Sequence, residues 1–116
     1  MNTDMRGNTN RAGLDADTPN HYASGTWHVT PGKERDFIEL WTDFLQWTRE
    51  AHPALASATL IRNGTNESHF VSFAAWPEAA ARDAWKQDPV WGEKHAALRA
   101  LCSDFHGGDY NRLVTI

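Results

Sequence analysis

Only one cysteine, Cys102, occurs in 116 residues, which excludes an internal disulfide framework. Long hydrophobic runs are missing too: nothing approaches the roughly 20 apolar residues that a membrane-spanning helix needs. Positive charge is not in excess. With 11 Lys and Arg against 15 Asp and Glu, the formal net charge is −4 and the pI near 5.8, so no field draws phosphates or an anionic membrane surface. Nucleic acid and membrane are therefore not expected partners. The first 20 residues lack a basic segment followed by an apolar one, so no secretory signal is read and the cytoplasm is the expected location. In that setting the sequons Asn63-Gly64-Thr65 and Asn66-Glu67-Ser68 are coincidental. Nor is there a Gly-rich phosphate loop, an HExxH pair, a Cys-x-x-Cys pair or a serine in a nucleophile elbow.

Aromatic bulk, by contrast, is plentiful. Six Trp, five Phe and two Tyr within a 41% apolar chain supply a packed core, and the length suits one domain. Residues 1–20 contain no aromatic residue and no helical or strand period, and read as a disordered tail; the folded domain is expected over 21–116. Residues 22–29 form a β-rich run closed by Thr30-Pro31-Gly32. Phe37, Leu40, Trp41, Phe44, Trp47 and Thr48 then fall at helical spacing, predicting a helix over 33–50 that ends at His52-Pro53. Residues 56–62 and 69–76 predict a hairpin around Asn63-Gly64. Asp88-Pro89 breaks the next helical region, because Asp suits an N-cap and Pro a first helical position, giving helices over 78–87 and 89–105. Gly107-Gly108 is expected to stop the last helix, and residues 110–116 to form a final strand.

This order, β-α-β-β-α-β with the second α split, predicts an α+β ferredoxin-like fold, a four-stranded antiparallel sheet with its helices on one face. The strand from Phe70 to Trp76 is apolar on both faces, and helices cover only one. A second copy packed sheet to sheet is the expected cover, making the protein a homodimer.

His95, Cys102 and His106 are the best metal-ligand candidates. On one continuous helix rising 1.5 Å per residue, however, His95 and Cys102 lie about 10 Å apart, and zinc ligands each sit about 2 Å from the ion, so no metal site is expected. Their stripe is more informative: Trp91, His95, Leu98, Cys102 and Phe105 step by four, three, four and three along that helix. His95 thus stands where the pattern calls for an apolar residue. It is either a core histidine satisfied by a backbone carbonyl or a Tyr hydroxyl, or a pocket-facing base, acid or haem ligand. Trp85 and Trp91 flank the Asp88-Pro89 break, where a cleft can open, and aromatic walls around one imidazole suit a flat, aromatic, oxidisable ligand. Trp27 shares a strand face with Gly25 and Val29, which should look towards the helices, while Ser24, Thr26 and His28 look the other way. Gly25 marks close approach by a backbone or ligand. Trp41, Trp47 and Trp76 read as core or dimer contacts, and Cys102 as an inert buried thiol.

The run Thr26-Trp27-His28-Val29-Thr30-Pro31-Gly32-Lys33-Glu34 before an aromatic helix, then Phe70-Val71-Ser72-Phe73-Ala74-Ala75-Trp76, then Ala84-Trp85 and Asp88-Pro89-Val90-Trp91 before His95, resembles the antibiotic biosynthesis monooxygenase family of dimeric ferredoxin-like proteins. The resemblance covers about residues 22–116. It implies a pocket between sheet and helices, and a small monooxygenase that uses neither metal nor flavin to oxidise anthrone- or quinol-like polyketides with molecular oxygen. The residues it points to are His95 and Trp85 for catalysis, and Trp27, Gly25, Trp91 and Leu98 for the substrate. In the implied mechanism His95, near its ordinary pKa of about 6.5, takes the phenolic proton. The indoles stack on the rings, and a radical pair collapses to a hydroperoxide that loses water. A related branch degrades haem with an Asn on the first strand, a Trp and a His. Trp85 and His95 fall on that Trp and His, but Gly25 stands at the Asn position, so no cofactor is expected and haem is the alternative. A non-catalytic dimeric ligand-binding module is the third reading.

Overall fold

The Thr30-Pro31-Gly32 turn sets the first reversal of the chain: Gly32 takes φ +94°, and its N–H donates to Glu34 Oε1 at 2.9 Å. The computed structural model describes residues 19–116, so the expected tail, residues 1–20, lies almost wholly outside the described residues. Strand β1 (His21–Val29) leads through this turn to helix α1 (Glu34–Ala51), followed by β2 (Ser57–Arg62), β3 (His69–Trp76), α2 (Ala79–Gln87), α3 (Pro89–Arg99) and β4 (Cys102–Asn111). The four strands form one antiparallel sheet in the order β2-β3-β1-β4, the α+β ferredoxin-like arrangement. Among the described residues no helix is long and apolar enough to cross a membrane.

Local chemistry explains the boundaries. In the hairpin loop, Asn63 Oδ1 accepts the backbone N–H groups of Thr65 and Asn66 at 2.8 and 2.9 Å, an Asx turn that reverses the chain. At the break between α2 and α3, Asp88 Oδ1 accepts the Val90 N–H at 2.9 Å with Pro89 in the first turn of the helix. The other oxygen of Asp88 meets His52 Nε2 at 2.9 Å, tying the end of α1 to the break. The Val90 N–H and His52 together hold the Asp88 carboxyl below the usual carboxylate range.

The last helix departs from expectation. It ends at Arg99, not at residue 105, and the final strand is Cys102–Asn111, not residues 110–116. Leu101 closes the turn by accepting the Thr30 N–H at 2.9 Å, and from Cys102 onward the backbone pairs with β1. Phe105 sits opposite Trp27 and Gly107 opposite Gly25. The glycine pair is therefore not a helix stop but a place in the sheet where facing aromatic rings need room: a Cβ at Gly107 would lie 2.9 Å from Phe105 Cζ. Cys102 and His106 consequently lie on a strand, and the helical spacing argued for them with His95 does not apply.

The core lies between the helices and the inner sheet face, with Trp27, Val29, Phe70 and Trp76 from the strands meeting Phe37, Phe44, Trp85 and Leu98 from the helices. Trp27, Gly25 and Val29 are buried on this side, as their alternation predicts. Among the described residues nothing covers the opposite face: Phe73 is 39% and Ile61 50% exposed.

Candidate functional site

The inner sheet face and the three helices line an open-mouthed cavity of about 130 Å³. Its walls are indoles and phenyl rings held by a few buried polar contacts. Trp27 projects from β1 and donates its indole N–H to Ser72 Oγ on β3 at 3.0 Å, which turns the ring flat across Gly25. Trp85 on α2 donates to Thr48 Oγ1 at 2.9 Å, and that hydroxyl in turn donates to the Phe44 carbonyl at 2.9 Å. Trp85 is thereby locked parallel to Phe44, with centroids 5.7 Å apart. Trp91 stacks on His95 at 4.4 Å, and its own indole N–H is buried without an acceptor among the described residues.

His95 is the polar centre of this aromatic box. Phe105 meets it edge-on at 4.8 Å and Trp27 lies 5.2 Å away. Its partner is neither a backbone carbonyl nor a Tyr hydroxyl: Arg99, one turn further along α3, donates from Nε to His95 Nδ1 at 3.0 Å. Burial among rings, with the positive charges of Arg99 and Lys86 nearby, pushes the His95 pKa down to about 4. This departs from the expected imidazole near its ordinary value: the ring is neutral at neutral pH, and its lowered basicity makes it a weak proton acceptor.

Of the expected site residues, His95, Trp85, Trp27, Gly25 and Trp91 all line the cavity. Leu98 does not: it is fully buried in the core one turn from His95, packed away from the cavity. Cys102 is half-buried beside the core, bonded through Sγ to the Leu98 carbonyl at 3.4 Å, with burial raising its thiol pKa to about 11.

A model of the antibiotic biosynthesis monooxygenase family matches residues 21–97. The chain belongs to that family. No curated protein sequence matches it. Among solved structures, a point mutant of SnoaB, a cofactor-independent oxygenase from Streptomyces nogalater, is similar with a TM-score of 0.77 at 19% identity, covering 84% of this chain and 97% of that one. A conserved protein from Methanosarcina mazei Go1 gives 0.74 at 12% identity, covering 84% and 97%. These likenesses establish a shared fold.

Within this family member, the cavity also takes aromatic and charged residues that sequence pattern does not assign to it. Trp41 and Phe44 line the cavity from α1, Phe105 from β4, and Lys86 from the end of α2. Periodicity assigns Trp41 to the buried side of its helix, as a core or dimer contact, but does not show which part of that side meets a void. Phe105 was hidden by the misplaced end of α3. Lys86 was legible in principle, one residue after Trp85, and is the lone Lys, Arg, Asp or Glu lining the cavity among the described residues.

Proposed function

We propose that this family member is a cofactor-independent monooxygenase that oxidises a flat, anthrone- or quinol-like aromatic substrate with molecular oxygen. The observation that carries the proposal is the cavity itself: indoles on several sides and, among the described residues, one neutral imidazole, one ammonium and no carboxylate. Such a box binds fused rings by stacking, excludes water, and favours the electron-rich anion over the neutral substrate. Triplet oxygen attacks closed-shell molecules slowly, so the substrate first loses a proton to become an enolate or phenolate. One electron passes to oxygen, the radical and superoxide combine, and the peroxide takes up a proton. Loss of water then leaves a carbonyl. In sum a ring CH2 and O2 give C=O and H2O, the substrate losing four electrons and oxygen gaining four.

The residues proposed to carry this are His95, facing the reacting oxygen, and Trp85, held rigid by Thr48; Trp27 and Trp91 stack on the rings and Gly25 leaves room beneath them. The proposed working form is a homodimer joined through the sheet face that exposes Phe73 and Ile61, in the cytoplasm. Light scattering at micromolar concentration should return twice the chain mass; a monomer would remove that part. The haem reading fits the residues poorly. Where the haem-degrading branch has Asn, a Cβ on Gly25 would lie 2.7 Å from Trp27 Nε1 and 3.1 Å from Phe105 Cε1, so that side chain is not admitted. Oxygen uptake with anthrone and quinol panels tests the main proposal. Consumption above the spontaneous rate, reduced about 10²-fold in His95→Ala, is expected; no enzyme-dependent uptake across the panel would leave a ligand-binding module instead.

A further inference from the structure

We infer that Arg99 fixes His95 as a hydrogen-bond donor, and that the cavity holds its aromatic ligand as an oxyanion, phenolate or enolate, bound to His95 Nε2–H with Lys86 supplying the opposite charge. This deepens the oxygenase reading and rests on it for the ligand's class. The argument begins with what a guanidinium can do. It has donors only, so the 3.0 Å contact from Arg99 Nε requires His95 Nδ1 to be an acceptor. The single proton of the neutral ring then sits on Nε2. No protein acceptor engages Nε2 among the described residues, and His95 lines the cavity. A second proton on Nδ1 would face the guanidinium, so the ring is built to give a hydrogen bond and not to collect a proton.

The surrounding charges agree. Lys86 of α2 lines the cavity, and Arg99 of α3 stands behind the imidazole. Asp109 of β4 pairs with Lys86, while Arg82, 3.7 Å from Asp109, also has Asp83 at 3.4 Å; Arg99 has no carboxylate partner among the described residues, so its charge behind His95 is not cancelled. From α1, β1 and β3 the residues that face His95 and the adjoining cavity are uncharged: Phe44, Trp27 and Ser72. A phenol placed there ionises more readily than in water, releasing its proton to solvent through the open mouth, and no general base is required. Arg99 is thus a positioning residue acting through His95. The anion so formed is the species that oxygen can oxidise.

A monohydroxyanthraquinone tests this without turnover, since its central ring is already oxidised and its ionisation is visible as a colour change. Bound to the full chain, its apparent pKa should fall by about 1–3 pH units relative to free probe. Nitrogen-15 NMR should show His95 Nδ1 unprotonated and Nε2 protonated at neutral pH. Arg99→Glu places an acceptor at Nδ1, so the two nitrogen signals should exchange character and the drop in probe pKa should vanish. The wild-type readings stand even if that variant folds poorly. A bound probe with an unchanged or raised pKa, or a protonated Nδ1 in the wild type, overturns the inference while oxygen uptake still judges the oxygenase reading. Failure of the probe to bind saturably overturns the inference and removes the pocket argument for the oxygenase as well.

Discussion

Replacing Gly25 by Ala tests how tightly the cavity floor is built. A Cβ at this position would lie 2.7 Å from Trp27 Nε1, 2.9 Å from Trp27 Cε2 and 3.1 Å from Phe105 Cε1. The first two distances are too short to persist, so the indole must move, and moving it breaks the 3.0 Å bond to Ser72 Oγ. Overpacking costs about 1–3 kcal/mol and an orphaned buried N–H about 1–3 kcal/mol, while a less flexible unfolded chain returns about 0.4–1 kcal/mol. The net expectation is a loss of about 2–4 kcal/mol, a large share of the stability of a domain this size. Urea denaturation of four proteins gives the decisive comparison: wild type, Gly25→Ala, Trp27→Leu and the double variant. With Trp27→Leu in place the two worst contacts are gone, and adding Ala at position 25 should cost less than about 1 kcal/mol. If Gly25→Ala is within about 0.5 kcal/mol of wild type, or costs the same in both backgrounds, the account of Trp27 lying against Gly25 is wrong.

Three further expectations follow from the same contacts. Thr48→Val removes the acceptor of the buried Trp85 N–H and should destabilise by about 1–3 kcal/mol in urea melts, with the loss largely absent in a Trp85→Phe background. Leu98→Ala empties a fully buried site and should cost about 2–5 kcal/mol, while leaving binding of the anthraquinone probe to the folded fraction unchanged. His95 is pushed down to about 4 in the fold from 6.5, so between those values the unfolded chain binds the extra proton. Its contribution is complete above about pH 6.5 and is lost as pH falls towards 4. Allowing for partial contact with solvent, the wild type should lose about 2 kcal/mol more than His95→Leu between about pH 7.5 and about pH 4.5. Parallel pH profiles for the two proteins would contradict a buried neutral imidazole.

Much of the fold was legible because its signals are local. Pro31-Gly32, Asn63-Gly64 and Asp88-Pro89 act through backbone dihedrals and neighbouring hydrogen bonds, and each falls where the chain turns. Alternation along β1 put Trp27, Gly25 and Val29 on the helix side, which is where they are buried. The end of α3 was not legible. Residues 100–105 continue a helical stripe, and they become strand only because β1 offers a ladder of backbone partners in which Phe105 meets Trp27 and Gly107 meets Gly25. A local pattern cannot weigh a pairing partner some 80 residues away.

The amino-acid sequence by itself determined the element order up to Arg99 and an aromatic setting for His95, but left open whether that imidazole faces a pocket or the core. Tertiary structure decided which aromatic rings meet the void, that Leu98 does not, and that β4 closes the sheet. It also decided the chemistry of His95. Residue identity supplies an imidazole that titrates near neutrality, but burial among rings and the Arg99 bond at Nδ1 hold it neutral with its proton on Nε2. Desolvation and neighbouring charge are properties of the packed site, and they exist only once the strands and helices have come together.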